Sequence, residues 1–119
     1  PKPLCYAFAS DTMYVPETAN YVAGATLLYH ESTFCEDKAE RARQTMHSTA
    51  KEAARVADEA GVEHLLIGHY SARYKDFDQF ENEAQAVFKS TIRARELHAY
   101  KVSDKGIQVK NLRTPKHEE

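Results

Sequence analysis

The chain has 119 residues, of which 42% are hydrophobic, enough for one domain with a small core. Its 16 basic and 18 acidic residues leave a net charge of -2, so no global field gathers nucleic acid, and a polyanion would have to be bound at a local site. No apolar run reaches the length of a membrane span and no basic-then-apolar secretion signal is present, while Cys5 and Cys35 have neither metal-ligand spacing nor the density of a secreted disulfide scaffold. A reduced cytoplasm is therefore expected. The chain opens on Pro1, which is compatible with removal of an initiator Met and equally with a segment of a longer protein.

Residues Leu4 to Ser10 form a short apolar run and predict a strand with Asp11 at its tip, where Asp caps turns as readily as it does chemistry. A short helix is expected from Pro16 to Ala23, stopped at Gly24. A second strand, Ala25 to Tyr29, leads into His30-Glu31-Ser32-Thr33-Phe34. If the strand continues, His30 and Glu31 point to opposite faces. His30 alone reads as a hydrogen-bonded structural histidine, whereas Glu31 at the end of an apolar strand needs a partner to be buried. The charged stretch Cys35 to Thr45 reads as a solvated loop with a helical turn.

From His47 to Tyr74 the sequence describes one helix–strand unit with a polar signal at each end. Ala50, Ala53, Ala54, Ala57 and Ala60 make one helical stripe of small residues, able to lie close against a sheet. Thr49 and Glu52 match a capping box, Ser48 is a second capping candidate, and Gly61 supplies a left-handed stop. Val62 to Ile67 reads as a strand buried on both faces, and it delivers His69 at its carboxyl end, where open α/β sheets place their chemistry. A further helix is expected over Asp76 to Lys89, its Phe77, Phe80, Ala84, Val87 and Phe88 facing the core and Asp78 to Glu81 available to cap it. Glu96 to Lys101 and Gly106 to Asn111, joined through Ser103-Asp104-Lys105-Gly106, predict a terminal β-hairpin. The domain spans 1–112, and 113–119 form a charged tail expected to fray.

Polar signals thus fall at strand ends or a helix start: Asp11, His30-Glu31, His47-Ser48-Thr49 and His69. Carboxylate and imidazole together suit a divalent ion such as zinc or manganese, although two ligands alone make a weak site. Taken in order, Ser10-Asp11-Thr12, His30-Glu31-Ser32-Thr33-Phe34, His47-Ser48-Thr49 with Glu52-Ala53, and Gly68-His69-Tyr70-Ser71-Ala72-Arg73-Tyr74 resemble the carboxyl-terminal half of ribonuclease Z. That family comprises transfer-RNA 3′-processing endonucleases of the metallo-β-lactamase fold. Ser10 stands where the family often has Gly and Ser32 where it often has Ala, both small replacements.

The resemblance implies an α/β fold, half of an αββα sandwich, with a mixed sheet, helices on one face and the carboxyl-terminal hairpin. It implies that Asp11 bridges two zinc ions, that His69 is a terminal ligand, and that His47 donates a proton to the leaving oxygen while Glu31 positions it. Ser71, Arg73 and Tyr74 fall where the family shapes the mouth of the site, with Arg73 a phosphate contact, and the intact enzyme would act on precursor transfer RNA. The family's amino-terminal His-x-His-x-Asp-His run is not in this chain. Half an active site is expected, binding zinc weakly or not at all alone and inactive without its other half. The exposed sheet face would be covered by that half or by a second copy, giving a homodimer. Two other readings compete: another hydrolase of the same fold, and a non-catalytic α/β module that binds a partner.

Overall fold

The computed structural model describes residues 3–112; the expected tail over 113–119 lies outside them. The elements run β1 (Tyr6–Ala9), α1 (Thr18–Tyr21), β2 (Leu27–Glu31), a 3₁₀ turn (Glu36–Lys38), α2 (Ala39–Gln44), α3 (Ala50–Ala60), β3 (His64–Gly68), α4 (Asp78–Val87), β4 (Thr91–Arg93), β5 (His98–Ser103) and β6 (Gly106–Asn111). Among the described residues, no helix is long and apolar enough to cross a membrane.

The sheet has the order β1-β2-β3-β4, and every neighbouring pair in it is parallel. The hairpin β5-β6 is antiparallel and forms a sheet of its own. Parallel and antiparallel pairings are therefore separate and do not share one mixed sheet. The connections explain this: parallel neighbours need long crossovers, here supplied with helices, whereas β5 and β6 are joined by a tight turn and pair locally. β4 carries no signal in the sequence, because Thr91-Ile92-Arg93 is too short to show a period and carries a charge. Its Arg93 is nonetheless buried, with Nη1 donating to Asp78 Oδ1 at 2.7 Å.

Helix α3 forms as its sequence dictates. Thr49 Oγ1 accepts from the Glu52 amide at 3.1 Å, Glu52 Oε1 accepts from the Thr49 amide at 3.0 Å, and Gly61 closes the helix with φ of 66°. The small stripe Ala50, Ala53, Ala54, Ala57 and Ala60 is buried and joins Leu28, Leu65, Ile67, Phe80 and Ala84 in one core. Helix α4 begins differently from expectation. Phe77 occupies its cap position without a side-chain hydrogen bond, and Asp76 Oδ1 takes the Asp78 amide at 2.9 Å. The side chains expected to cap this end are instead turned toward β4: Asp78 pairs with the Arg93 guanidinium, and Glu81 Oε2 accepts the Arg93 amide at 3.3 Å.

The charged stretch after β2 is more ordered than a solvated loop. Ala42 is fully buried, and its carbonyl accepts the His47 amide at 2.8 Å, which fixes the approach to α3.

The two sheet faces differ. Register aligns Leu28 with Leu65, and His30 with Ile67, on the face covered by the helices. On the other face it aligns Phe8, Tyr29, Leu66 and Ile92 in one row and Tyr6, Leu27 and His64 in another. Phe8 is 75% exposed and Tyr6 51% exposed, and the rest of both rows is only half-buried. The apolar run of β3 is thus not covered on both sides, since Leu65 and Ile67 are buried but His64 and Leu66 are not. Among the described residues, no layer covers this apolar face.

Candidate metal centre

Strand parity places Glu31 and His30 on opposite faces at the carboxyl end of β2. Glu31 is fully buried on the side away from the helices. A buried carboxylate must be met by donors, and among the described residues there are five. Oε1 accepts from the Thr12 amide at 3.0 Å and from His47 Nδ1 at 2.6 Å. Oε2 accepts from the Thr33 amide at 3.1 Å, the Thr33 hydroxyl at 2.8 Å and the Ser48 amide at 3.2 Å. These groups come from the loop after β1, the end of β2 and the start of α3, so one side chain ties together three segments.

The same contacts position the chemistry. An ionised carboxylate only accepts, so the His47 proton that faces it is on Nδ1. Thr33 Oγ1, whose proton goes to Glu31, lies 3.0 Å from His69 Nδ1. His69 Nε2 faces Asp11 Oδ1 at 3.8 Å. Asp11, His47 and His69 each offer one ligand atom within 4.8 Å of the others. Two ligands of a tetrahedral zinc ion lie roughly 3.3–3.6 Å apart given usual bond lengths, so the His69–Asp11 gap suits a shared cation. Imidazoles whose Nδ1 points to a carboxylate, directly or through a hydroxyl, are oriented as metal-site histidines are. The residues present fit a divalent metal.

The backbone is committed to this arrangement as well. Asp11 has φ of 48°, His69 of 65°, and Met46, the residue before His47, of 60°. Positive φ at residues other than glycine is uncommon and concentrates at functional sites. Thr12, next to Asp11, is held on both sides: its amide donates to Glu31 and its carbonyl accepts the Ser48 hydroxyl. Gly68, just before His69, lies so close to Tyr29 that an added Cβ would sit 2.7 Å from the Tyr29 hydroxyl. A side chain at this position would have to displace the Tyr29 ring. The site is open, with the side chain of His69 53% exposed and that of Asp11 76% exposed.

Asp11, Glu31, His47 and His69, chosen from the sequence, are brought together. Ser71, Arg73 and Tyr74 follow on the loop after His69, in different settings. The Ser71 amide donates to the Thr33 carbonyl at 2.8 Å and its hydroxyl accepts the Arg73 amide at 3.2 Å. Arg73 is exposed. The Tyr74 hydroxyl accepts the Cys35 amide and donates to Asp37, both at 2.9 Å, and its ring meets Phe80 edge-on at 4.7 Å. Tyr74 is thereby engaged inside the chain, and burial pushes its hydroxyl pKa up. Tyr70, assigned no role from sequence, bonds the carbonyls of Ile67 and Ala94 and fixes the start of this loop to β3 and β4. The roles of Thr33 and of the Thr12 and Ser48 amides were likewise not anticipated. Their only sequence signal was membership of the ordered motifs.

His30 stands apart on the helix-covered face. Nδ1 donates to the Glu31 carbonyl at 2.8 Å, Nε2 is buried without a hydrogen-bond partner among the described residues, and burial lowers its pKa. It is a neutral core residue.

No family model matches this chain. Among curated relatives, the ribonuclease Z of Porphyromonas gingivalis is 54% identical over 94 residues, covering 79% of this chain and 31% of the relative. That of Bacteroides fragilis is 51% identical over 94 residues, with the same coverage, and that of Cytophaga hutchinsonii is 47% identical over 100 residues, covering 84% and 32%. Among solved structures, the metallo-β-lactamase fold protein YhfI of Bacillus subtilis aligns with a TM-score of 0.69 and 28% identity over 74% of this chain and 36% of its own. The short form of human tRNase Z aligns with a TM-score of 0.50 and 25% identity over 65% of this chain and 24% of its own. Over most of its length the chain shares the fold of metallo-β-lactamase fold proteins. Within that class it is homologous to ribonuclease Z over most of its residues, and it spans about a third of the length of the curated relatives it matches.

Burial of His30 has a consequence for stability. The unfolded chain protonates this histidine near its ordinary value of 6.5, while the folded chain holds it neutral to lower pH. Its contribution is therefore present above that value and lost as pH falls through it. Replacing His30 by Gln should flatten the acid-side decline in unfolding free energy by up to about 1.4 kcal/mol per pH unit; denaturant titrations at mildly alkaline and mildly acidic pH measure the difference.

Proposed function

We propose that this chain is the part of a zinc-dependent endoribonuclease of the ribonuclease Z type that carries its proton donor and two of its metal ligands, the intact enzyme cutting precursor transfer RNA to leave a 3′-hydroxyl. The observation that carries this reading is the buried Glu31 carboxylate, which takes His47 on one oxygen and, through Thr33, His69 on the other, with Asp11 across from His69. The homology to ribonuclease Z supports the substrate class.

When bound, zinc would polarise the phosphodiester and activate water. Asp11 and His69 would hold it. His47, fixed through Nδ1, keeps Nε2 to carry the proton that reaches the oxygen leaving phosphorus, and Glu31 holds the ring for that transfer. Arg73, exposed on the loop after His69, supplies a cation for the RNA backbone. With His47 reserved for the proton, Asp11 and His69 fall short of the three protein ligands usual for catalytic zinc, so the chain alone is inert and binds zinc weakly. Its free cysteines, exposed Cys5 and buried Cys35, suit the cytoplasm.

In the intact protein, His47→Ala should lower turnover on precursor transfer RNA by roughly 100-fold or more with zinc content near normal, whereas His69→Ala should lose metal. Metal analysis beside single-turnover cleavage separates the two roles. Loss of zinc from His47→Ala as complete as from His69→Ala would show that His47 is a ligand.

The open sheet face supports a partner for the isolated chain. Phe8, Tyr6, Tyr29 and Leu66 form one apolar surface, and twofold self-association lets a single patch cover itself. The isolated chain should sediment as a dimer and Phe8→Glu as a monomer. A stable wild-type monomer at high concentration that binds no apolar dye would rule this out.

A further inference from the structure

We infer that Thr33 is a positioning residue for His69, setting which ring nitrogen presents a lone pair to the metal; the metal part of this inference rests on the zinc reading above. Thr33 lies at the exit of β2 and is 7% exposed. Its hydroxyl stands between Glu31 Oε2, at 2.8 Å, and His69 Nδ1, at 3.0 Å. A hydroxyl has one proton to give. Glu31 can only accept, and leaving its oxygen against the lone pairs of Oγ1 in a fully buried position would be costly. The Thr33 proton therefore goes to Glu31, and Oγ1 accepts from His69, whose proton must lie on Nδ1.

The tautomer decides the chemistry. A free neutral imidazole prefers its proton on Nε2, the nitrogen that here faces Asp11. In that form Nε2 would present a hydrogen to a cation. Thr33 reverses the preference by passing the acceptor character of Glu31 across to the second histidine. His47 needs no such relay, because its Nδ1 meets Glu31 directly at 2.6 Å. One buried carboxylate thus sets both rings, and the threonine extends its reach to the far one.

The test uses the metal-free 119-residue chain with nitrogen-15 labelled histidine. Long-range proton–nitrogen spectra in mildly alkaline buffer report the tautomer of each ring, and zinc added alone reports affinity. Wild type and Thr33→Ser should show His69 protonated on Nδ1. Thr33→Val, which keeps the shape and the backbone amide but lacks the hydroxyl, should move the proton of His69 to Nε2, leave His47 unchanged and weaken zinc binding about 10-fold. Thr33→Ala provides the same readout should the valine variant fail to fold. Unchanged His69 signals in the folded hydroxyl-free variant would overturn the inference. A tautomer shift with zinc affinity unchanged would leave the role of Thr33 in setting the ring standing and count against the metal part of the inference.

Discussion

The site depends on a single buried charge. Glu31 has no contact with solvent and is held by five donors from three segments of the chain. Without them, burying this carboxylate would be costly. With them it becomes an anchor, since each donor is fixed in turn. The Thr12 amide holds the turn that carries Asp11, the Ser48 amide holds the start of α3, and Thr33 and His47 orient the two imidazoles. The energetic requirement of one side chain and the geometry of the site are the same set of contacts.

The parallel sheet makes this convergence possible. Side by side and in one direction, β1, β2 and β3 end at the same edge, so Asp11, Glu31 and His69 arrive together from positions far apart in sequence. The small residues of α3 let it lie against the core, and its capping box sets the helix start immediately after His47. Left-handed backbone at Asp11 and His69 then turns the chain sharply as it leaves each strand. Local strain of this kind is maintained only where surrounding contacts over-determine it, and those contacts converge on Glu31.

Much of this was readable from the sequence because it rests on local patterns. The alanine stripe with Thr49, Glu52 and Gly61 defines α3 at both ends, and the apolar runs locate β1, β2 and β3 to within a few residues. What escaped has physical causes. β4 is three residues long, and its buried Arg93 is paired with Asp78 at the start of α4, a partner that no pattern local to β4 announces. The cap of α4 is displaced because Arg93 draws Asp78 and Glu81 toward β4, a tertiary demand that a capping pattern does not register. Thr33 gives no signal of its own, since its importance comes from standing between two groups that meet only in the folded chain. Tyr74, which the resemblance puts at the mouth of the site, bonds Cys35 and Asp37 in the folded chain, contacts that no local pattern announces.

The central claim is that the charge of Glu31, and not merely its shape, holds the site together. Unfolding free energy of the Glu31→Gln chain measures this most directly, because glutamine keeps the volume while placing a donating amide NH2 against groups that all donate. A loss of about 3–5 kcal/mol is expected, as for breaking a buried charge pair. A loss below about 0.5 kcal/mol, within the range of ordinary surface substitutions, would contradict the account.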